Sequence, residues 1–528
     1  MFRLRAWWPF LALGLLVLPA AWPFFQPAAL PRTNDALTHL YRAVQLDLLV
    51  RAGVLFPRWA PDLAFGYGYP VFNFFPYLAH LLIVAGHGLG LDFLAAYQAA
   101  GALTLIVSAW TAFALGRELF GEAAGLLAGV AYAYSPYLLY DAHIRGSLPE
   151  SLALALLPLG LLHLRRAAHG RARSVVWAGL ALAGCLFAHH GVTLQAMPFV
   201  LAYGAFEAWH GGPEGRARDP GRSFLRWSLA LLPLVIALGL TAFFWLPALA
   251  ESGAVQIERG TLNGGMRYTE NFLSLAELTA QPRAPVDPDL LNPPVVRPLP
   301  LAALLLATLA LMRVVPFQGG APNAPGRAPN ALGGAPNALG RAPNAPGRAY
   351  NALLLFFAAA VVVGVALIHP ISRPLWDAVP LLRLTLFPWR LLGPLALFAA
   401  LAAGALCASS GPWDLGIGTS TSTASRSITS ASFPWSFSLS TLFLVLAGLP
   451  FASPPFEPVP ARPGLAEMAA FEVPPDFIGT TTVGEYLPRG AQTLPAAKAA
   501  PRAPAGRPRI NPPRAARPGA TQYPPPPP

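Results

Sequence analysis

Twelve apolar stretches alternate with short polar breaks along the chain. They fall near residues 7–25, 74–90, 95–115, 123–140, 149–164, 174–188, 192–209, 227–249, 299–315, 350–368, 388–408 and 434–451. Most approach the ~20 uncharged residues that a helix needs to span ~30 Å of hydrocarbon. A β-barrel would instead show alternating segments of ~10 residues. The pattern predicts an all-α, polytopic membrane protein. Composition agrees: 55% of residues are hydrophobic and 11% charged, against ~25% charged in ordinary soluble domains.

Charge placement orients the helices. Arg3 and Arg5 precede the first run, which favours a cytoplasmic N-terminus. That run is long, aromatic and lacks an Ala-x-Ala site, so it reads as an uncleaved first helix rather than a signal peptide. If segment 74–90 crossed the bilayer, the arginine-rich loops 165–173 and 210–226 would both lie outside, against the positive-inside rule. If it is re-entrant or juxtamembrane, both loops turn cytoplasmic. Pro76, His80 and His87 within it fit the second reading. The expectation is therefore about eleven transmembrane helices plus one juxtamembrane segment, spread over residues 1–451, with residues 26–94 as the first extracytoplasmic loop. One face then collects the irregular, aromatic and acidic loops, as a one-sided site requires.

The net charge of +12 comes almost wholly from arginine, with Lys498 the only lysine. Heavy use of Ala, Gly, Pro and Arg points to GC-rich coding, and no nucleic-acid partner is expected. Cys185 and Cys407 both lie in apolar runs and imply neither a disulfide framework nor a zinc site. Residues 321–348 are four heptads of the type APNAPGR. Proline forbids a helix there and no a/d seam exists, so 319–349 reads as a disordered cytoplasmic linker. The Ser/Thr-rich stretch 411–432 reads as a flexible loop. Residues 452–487 are expected to fold back on the outer face, and the Pro/Ala/Arg-rich tail 488–528 to be disordered.

Polar chemistry gathers at a few places. In 31–76, Asp35 and His39 share one face of a predicted helix capped by Thr33-Asn34. Asp35 is the candidate general base, and His39 a substrate-binding or orienting residue. The alternatives are a helix-terminal charge and an interfacial histidine; a two-ligand metal site lacks an evident third ligand. Arg58, Tyr67 and Tyr69 stand in a Gly/Pro/aromatic loop that is either a sugar or lipid-phosphate wall or an aromatic belt. The turn Tyr140–Glu150 holds Asp141, His143, Arg145 and Glu150. Glu150 follows Pro149 into a helix start, where it is either a second acid of the site or a favourable dipole charge. His189-His190 and Arg390 end helices on the same face, and Glu485-Tyr486 stands in the tail.

Together NDALTHLYR, LFPRWAPDLAFGYGYPVFNFFP, RGSLPE, LFPWRLLG and TTTVGEYLP resemble bacterial integral-membrane proteins labelled 6-pyruvoyl-tetrahydropterin synthase-related. The layout also resembles, more distantly, the GT-C glycosyltransferase superfamily, and the Gly116–Gly121 segment resembles its cytoplasmic LFG turn. That resemblance implies a sugar transferred from a polyprenyl-phosphate donor to an extracytoplasmic acceptor at the bacterial plasma membrane. It implies Asp35 as first acid and Glu150 or Asp141 as second. A single acid after Asn34, rather than an acidic pair, leads to the expectation of no metal and no cofactor. A lipid-carrier transporter and a non-catalytic envelope assembly factor are the alternatives. If one site exists, Glu150, Arg145 and Arg390 should converge on Asp35.

Overall fold

The computed structural model describes residues 4–210, 220–262, 266–282, 296–314, 345–383, 385–408, 435–473, 475–481 and 484–491. The Ser/Thr-rich loop and most of the heptad linker and terminal tail lie outside these residues. At their edges two expectations of disorder are corrected. Residues 345–349 begin the Ala345–Ile368 helix, and residues 488–491 pair with the Val255 region.

Each of the twelve apolar stretches contains helix, with breaks at 75–77 in 74–90, at 134–135 in 123–140 and at Thr241 in 227–249. Among the described residues, five helices are by length and composition apolar enough to cross a membrane: Trp7–Phe25, Phe93–Phe120, Leu148–Ala168, Tyr350–Ile368 and Pro388–Cys407. Phe224–Leu240 and Ala242–Ala250 make a sixth if the pair, bent by 66°, is one span. The bend falls at Thr241, whose hydroxyl bonds the Ala237 carbonyl at 2.8 Å. Such a side-chain intrusion is a recognised cause of helix breaks. Leu78–Gly88 has 11 residues and rises only about 16 Å, about half a hydrocarbon core. The chain is a predominantly helical, multi-pass membrane protein.

The Leu392–Gly404 helix is apolar and buried along its whole length. A helix that is hydrophobic on every side belongs at the centre of a bundle. Small residues bring its neighbours close. A Cβ on Gly125 would lie 2.7 Å from the Arg117 nitrogen and from the Phe113 carbonyl, so Phe93–Phe120 and Glu122–Ala133 meet nearly backbone to backbone. The central helix starts from the turn Pro388–Leu391, which delivers Arg390 to the site.

Two charged clusters sit at opposite ends of Leu148–Ala168. Glu150 is in its first turn, and Arg165 and Arg166 are in its last. At the latter end Arg165 and His169 hold Glu207, and Arg166 holds Glu118. Fifteen residues of helix separate the two ends by about 22 Å.

The C-terminal segment returns to the first loop. Ala29–Pro31 pairs antiparallel with Phe456–Pro458, and the Leu465–Phe471 helix sets the Phe471 ring 4.9 Å from that of Tyr41. The buried Glu472 carboxylate accepts the backbone N–H groups of Ala64, Phe65 and Gly479, each at 2.9 Å. Ala64 and Phe65 have φ of 53° and 57°, a left-handed turn that side chains disfavour, so Glu472 holds a strained loop. Glu472→Ala should cost on the order of 3 kcal/mol. Thermal melting combined with hydrogen exchange should show faster exchange at both 60–68 and 475–481; unchanged exchange at 60–68 would contradict this tie.

Candidate functional site

The site starts from how the helix Ala36–Arg51 is capped. Asp35 occupies the cap position, but its carboxylate makes no capping hydrogen bond. Thr33 does that work, its Oγ1 accepting the Ala36 N–H at 3.0 Å. The Asp35 carboxylate is left for other partners, which argues against the helix-terminal-charge reading. Its side chain is 35% exposed, and Oδ2 lies 3.5 Å from Arg145 Nε.

Arg145 comes from a π-helical turn, Asp141–Arg145, a geometry common at functional sites. The backbones of the two loops lock together: Asp35 N donates to the Arg145 carbonyl at 2.8 Å and Asn34 N to that of Ile144 at 3.3 Å. Gly146 permits this approach. It has φ +72°, and a Cβ there would sit 2.2 Å from Thr33 Oγ1.

Behind Asp35 the charges are buried and shared. Glu150 is fully buried and accepts hydrogen bonds from Arg145 Nη1, from Arg390 Nε at 3.0 Å and from the Tyr137 hydroxyl at 2.5 Å. His189 Nε2 stands 3.7 Å away. Glu150 is thus more than a helix-dipole charge; it is clamped between two guanidinium groups. Arg390 also donates to the Thr385 carbonyl at 2.9 Å. Asp141 accepts the Ser151 hydroxyl at 2.7 Å and lies 3.4 Å from Arg145 Nη1. Arg145 packs over Trp389, centroid distance 5.2 Å, and Arg297 covers the same ring at 4.6 Å while donating to the Tyr140 hydroxyl.

Electrostatics separate the two aspartates. Enclosure raises the Asp35 carboxyl above its ordinary value, while Arg145, then Arg42 and Arg390, pull it back. Asp141 is raised further, by burial first and then by Glu150. His39 is held well below its ordinary value by burial and by His80, which keeps it neutral. Its Nδ1 lies 3.1 Å from His80 Nε2. His39 therefore pairs with His80 and does not orient Asp35, and the two residues do not converge as metal ligands. No group of three or more His, Cys, Asp or Glu side chains among the described residues is arranged to hold a metal ion.

The remaining sequence candidates divide. Asp35, Asp141, Arg145, Glu150, His189 and Arg390 come together. His190 stacks on His189 at the edge of this group. His143 does not join it: its Nε2 lies 2.7 Å from the Ala20 carbonyl and its ring packs on Phe24, because the wide π turn sends it toward the first helix. Arg58 is not waiting for a phosphate; it pairs with Glu251 and donates to Asn73 Oδ1 at 2.7 Å. Tyr67 is exposed on its loop. Tyr69 is buried and serves the C-terminal segment, its hydroxyl meeting Thr481 Oγ1 at 2.9 Å and accepting the Tyr486 N–H at 2.8 Å. The Tyr486 ring stacks on Phe74, and Glu485 acts electrostatically on Arg42 and Tyr69. Tyr137 and Arg297 escaped the sequence reading, and Arg42, one of the charged residues of 31–76, was given no role in it. Arg42 had a signal: it lies on the helix face of Asp35 and His39, at positions i, i+4 and i+7.

No protein-family model matches the chain, and no curated protein matches it; the pterin-synthase-related family therefore stays a resemblance of motifs. Among solved structures the helical arrangement is similar to that of arabinofuranosyltransferase AftD from Mycobacteria, at 19% identity and TM-score 0.43 over 85% of this chain and 26% of that one. It is also similar to ArnT from Cupriavidus metallidurans bound to undecaprenyl phosphate, at 16% identity and TM-score 0.36 over 76% and 77%. A third is the archaeal oligosaccharyltransferase AglB from Archaeoglobus fulgidus in complex with an inhibitory peptide and a dolichol-phosphate, at 13% and TM-score 0.38 over 76% and 50%. The chain spans about a quarter of the length of AftD.

Gly146→Ala should part the two loops, with a loss of about 1–2 kcal/mol from the left-handed backbone alone and more from the collision with Thr33. Gly170→Ala, at φ +89° in a helix-ending turn with nothing within 4 Å, is the control. Melting temperatures should fall further for Gly146→Ala than for Gly170→Ala; equal falls would remove the role given to the Thr33 contact.

Proposed function

We propose that this protein is a membrane glycosyltransferase that moves a sugar from a polyprenyl-phosphate donor to an extracytoplasmic acceptor, with Asp35 as base. The observation that carries the reading is the uncapped, one-third exposed Asp35 carboxylate at the edge of a buried Arg145–Glu150–Arg390 network. The motif resemblance supplies the donor class. The arginine pattern supports about eleven crossings, a cytoplasmic N-terminus and an outward-facing site, and the motif resemblance implies the plasma membrane of a bacterium. Residues 452–487 complete that outer face.

The chemistry is one inverting displacement. Asp35 takes the proton of an acceptor hydroxyl, and the acceptor oxygen attacks the anomeric carbon. The bond from that carbon to the phosphate oxygen breaks, and polyprenyl phosphate leaves with the electron pair. Charge builds on the leaving oxygens, so fixed cations matter more than a proton donor. Arg145 and Arg390 stand nearest, both steadied by Glu150. Glu150 is accordingly a positioning residue that keeps two guanidinium groups together. A transporter reading calls for ionisable groups near the midplane of helices. The ion-paired clusters of Leu148–Ala168 lie at its two ends instead.

Asp35→Asn should lower transfer by about 10²–10⁴-fold in a protein with unchanged melting. The assay follows polyprenyl phosphate released in membranes of expressing cells by mass spectrometry; transfer at the wild-type rate excludes Asp35 as base. Transfer should also fail as pH drops through the Asp35 pKa, because the base is then protonated. Arg145→Gln removes the charge that opposes enclosure, so the acidic limb of the rate profile should move to higher pH. A limb that stays in place or moves down contradicts the assignment.

A further inference from the structure

Three arginines that the sequence marks as candidate site residues are already engaged by acids. Arg58 holds Glu251, Arg145 holds Glu150, Asp141 and Asp35, and Arg390 holds Glu150. Arg42 differs. It is 4% exposed; Glu485 and Asp35 act on it electrostatically, and the ion pairs found among the described residues do not include it. Its Nε donates to Thr480 Oγ1 at 3.0 Å and its Nη2 to the Thr480 carbonyl. The guanidinium carbon lies over Phe75, 4.2 Å from the ring centroid. Nη1 makes no hydrogen bond among the described residues.

A guanidinium stripped of water without a close counter-ion is costly, and an arriving oxyanion offsets that cost through charge-assisted hydrogen bonds. Thr480 is held in a strained form to do this. It is β-branched with φ 57°, a conformation that is an outlier for such residues and that gathers at ligand clamps and active sites. That turn points both its hydroxyl and its carbonyl at one arginine. Arg42 also lies two helical turns beyond Asp35 on the same face, about 10 Å along the axis.

We infer that Arg42, aimed by Thr480 of the C-terminal segment and backed by Phe75, is a further phosphate-binding residue of the site, beside Arg145 and Arg390. The inference rests on the proposed transferase reading and assigns it an anion contact distinct from the Glu150 network. The ligand chemistry is a phosphate oxyanion, whether on a lipid headgroup or free.

The full chain in detergent is titrated with farnesyl phosphate, farnesol and inorganic phosphate. Wild type should bind farnesyl phosphate more tightly than farnesol. Arg42→Gln should weaken farnesyl phosphate at least tenfold and leave farnesol unchanged, and Thr480→Ala should weaken it less. Competition by inorganic phosphate would identify a free-phosphate site, and competition only by the prenylated form a lipid-headgroup site. Arg42→Gln with wild-type discrimination between farnesyl phosphate and farnesol overturns the inference and leaves Arg42 as a pin for the C-terminal segment. A second measurement needs no variant. Phenylglyoxal labelling of Arg42, mapped by mass spectrometry, should be blocked by farnesyl phosphate and not by farnesol; labelling indifferent to both overturns it. Absence of sugar transfer with Arg42-dependent phosphate binding intact would sink the transferase reading and leave this site standing.

Discussion

Glu150 between Arg145 and Arg390 is the interaction on which the rest of this face depends. A carboxylate with no solvent exposure is tolerable only because two guanidinium groups and the Tyr137 hydroxyl satisfy it. In return it fixes where those guanidinium groups stand. One comes from a π turn and the other from the start of the central helix, so the same ion pairs join the loop before Leu148–Ala168 to the middle of the bundle. Asp35 borrows its setting from them. It meets the network only through Arg145, and its loop is held by backbone bonds to the same turn. Loss of Glu150 would leave two buried cations side by side, which is worse than losing a favourable contact.

A second set of ties joins the first loop to the C-terminal segment. Glu472 holds the left-handed turn at Ala64 and Phe65, Tyr69 receives Thr481 and Tyr486, and Thr480 grips Arg42. These bonds run mostly between a side chain on one partner and backbone on the other, so they set position more than affinity. The aromatic loop read from sequence as a sugar wall or belt is in large part an anchor for this segment. Tyr69 illustrates the difference: its hydroxyl is consumed by two partners before any ligand arrives.

Much of the architecture was legible because hydropathy reports helices directly, and each apolar stretch contains a helix. The convergence of Glu150, Arg145 and Arg390 near Asp35 was legible too, because charges that stay at helix ends on one face have few places to go. Pairing was not legible. Arg58 meets Glu251 across 193 positions, brought there by a bend at Thr241 that no composition announces. His143 turns to the Ala20 carbonyl because a π turn shifts its direction relative to an α-helix. Asp35 and His39 share a helix face, yet one looks to Arg145 and the other to His80, since neighbours decide among rotamers that spacing leaves equivalent.

The bond between Arg42 and Thr480 spans 438 positions of sequence. A chain threaded into a membrane from its N-terminus lays down Asp35, Arg42 and the first loop long before Thr480 exists. Throughout that interval Arg42 has no Thr480 to aim it, and the turn at Ala64 has no Glu472. Assembly of this face is therefore the last event of synthesis rather than the first. A polypeptide interrupted between residues 390 and 480 would carry Asp35 and the Arg145–Glu150–Arg390 network yet lack the Thr480 that aims Arg42.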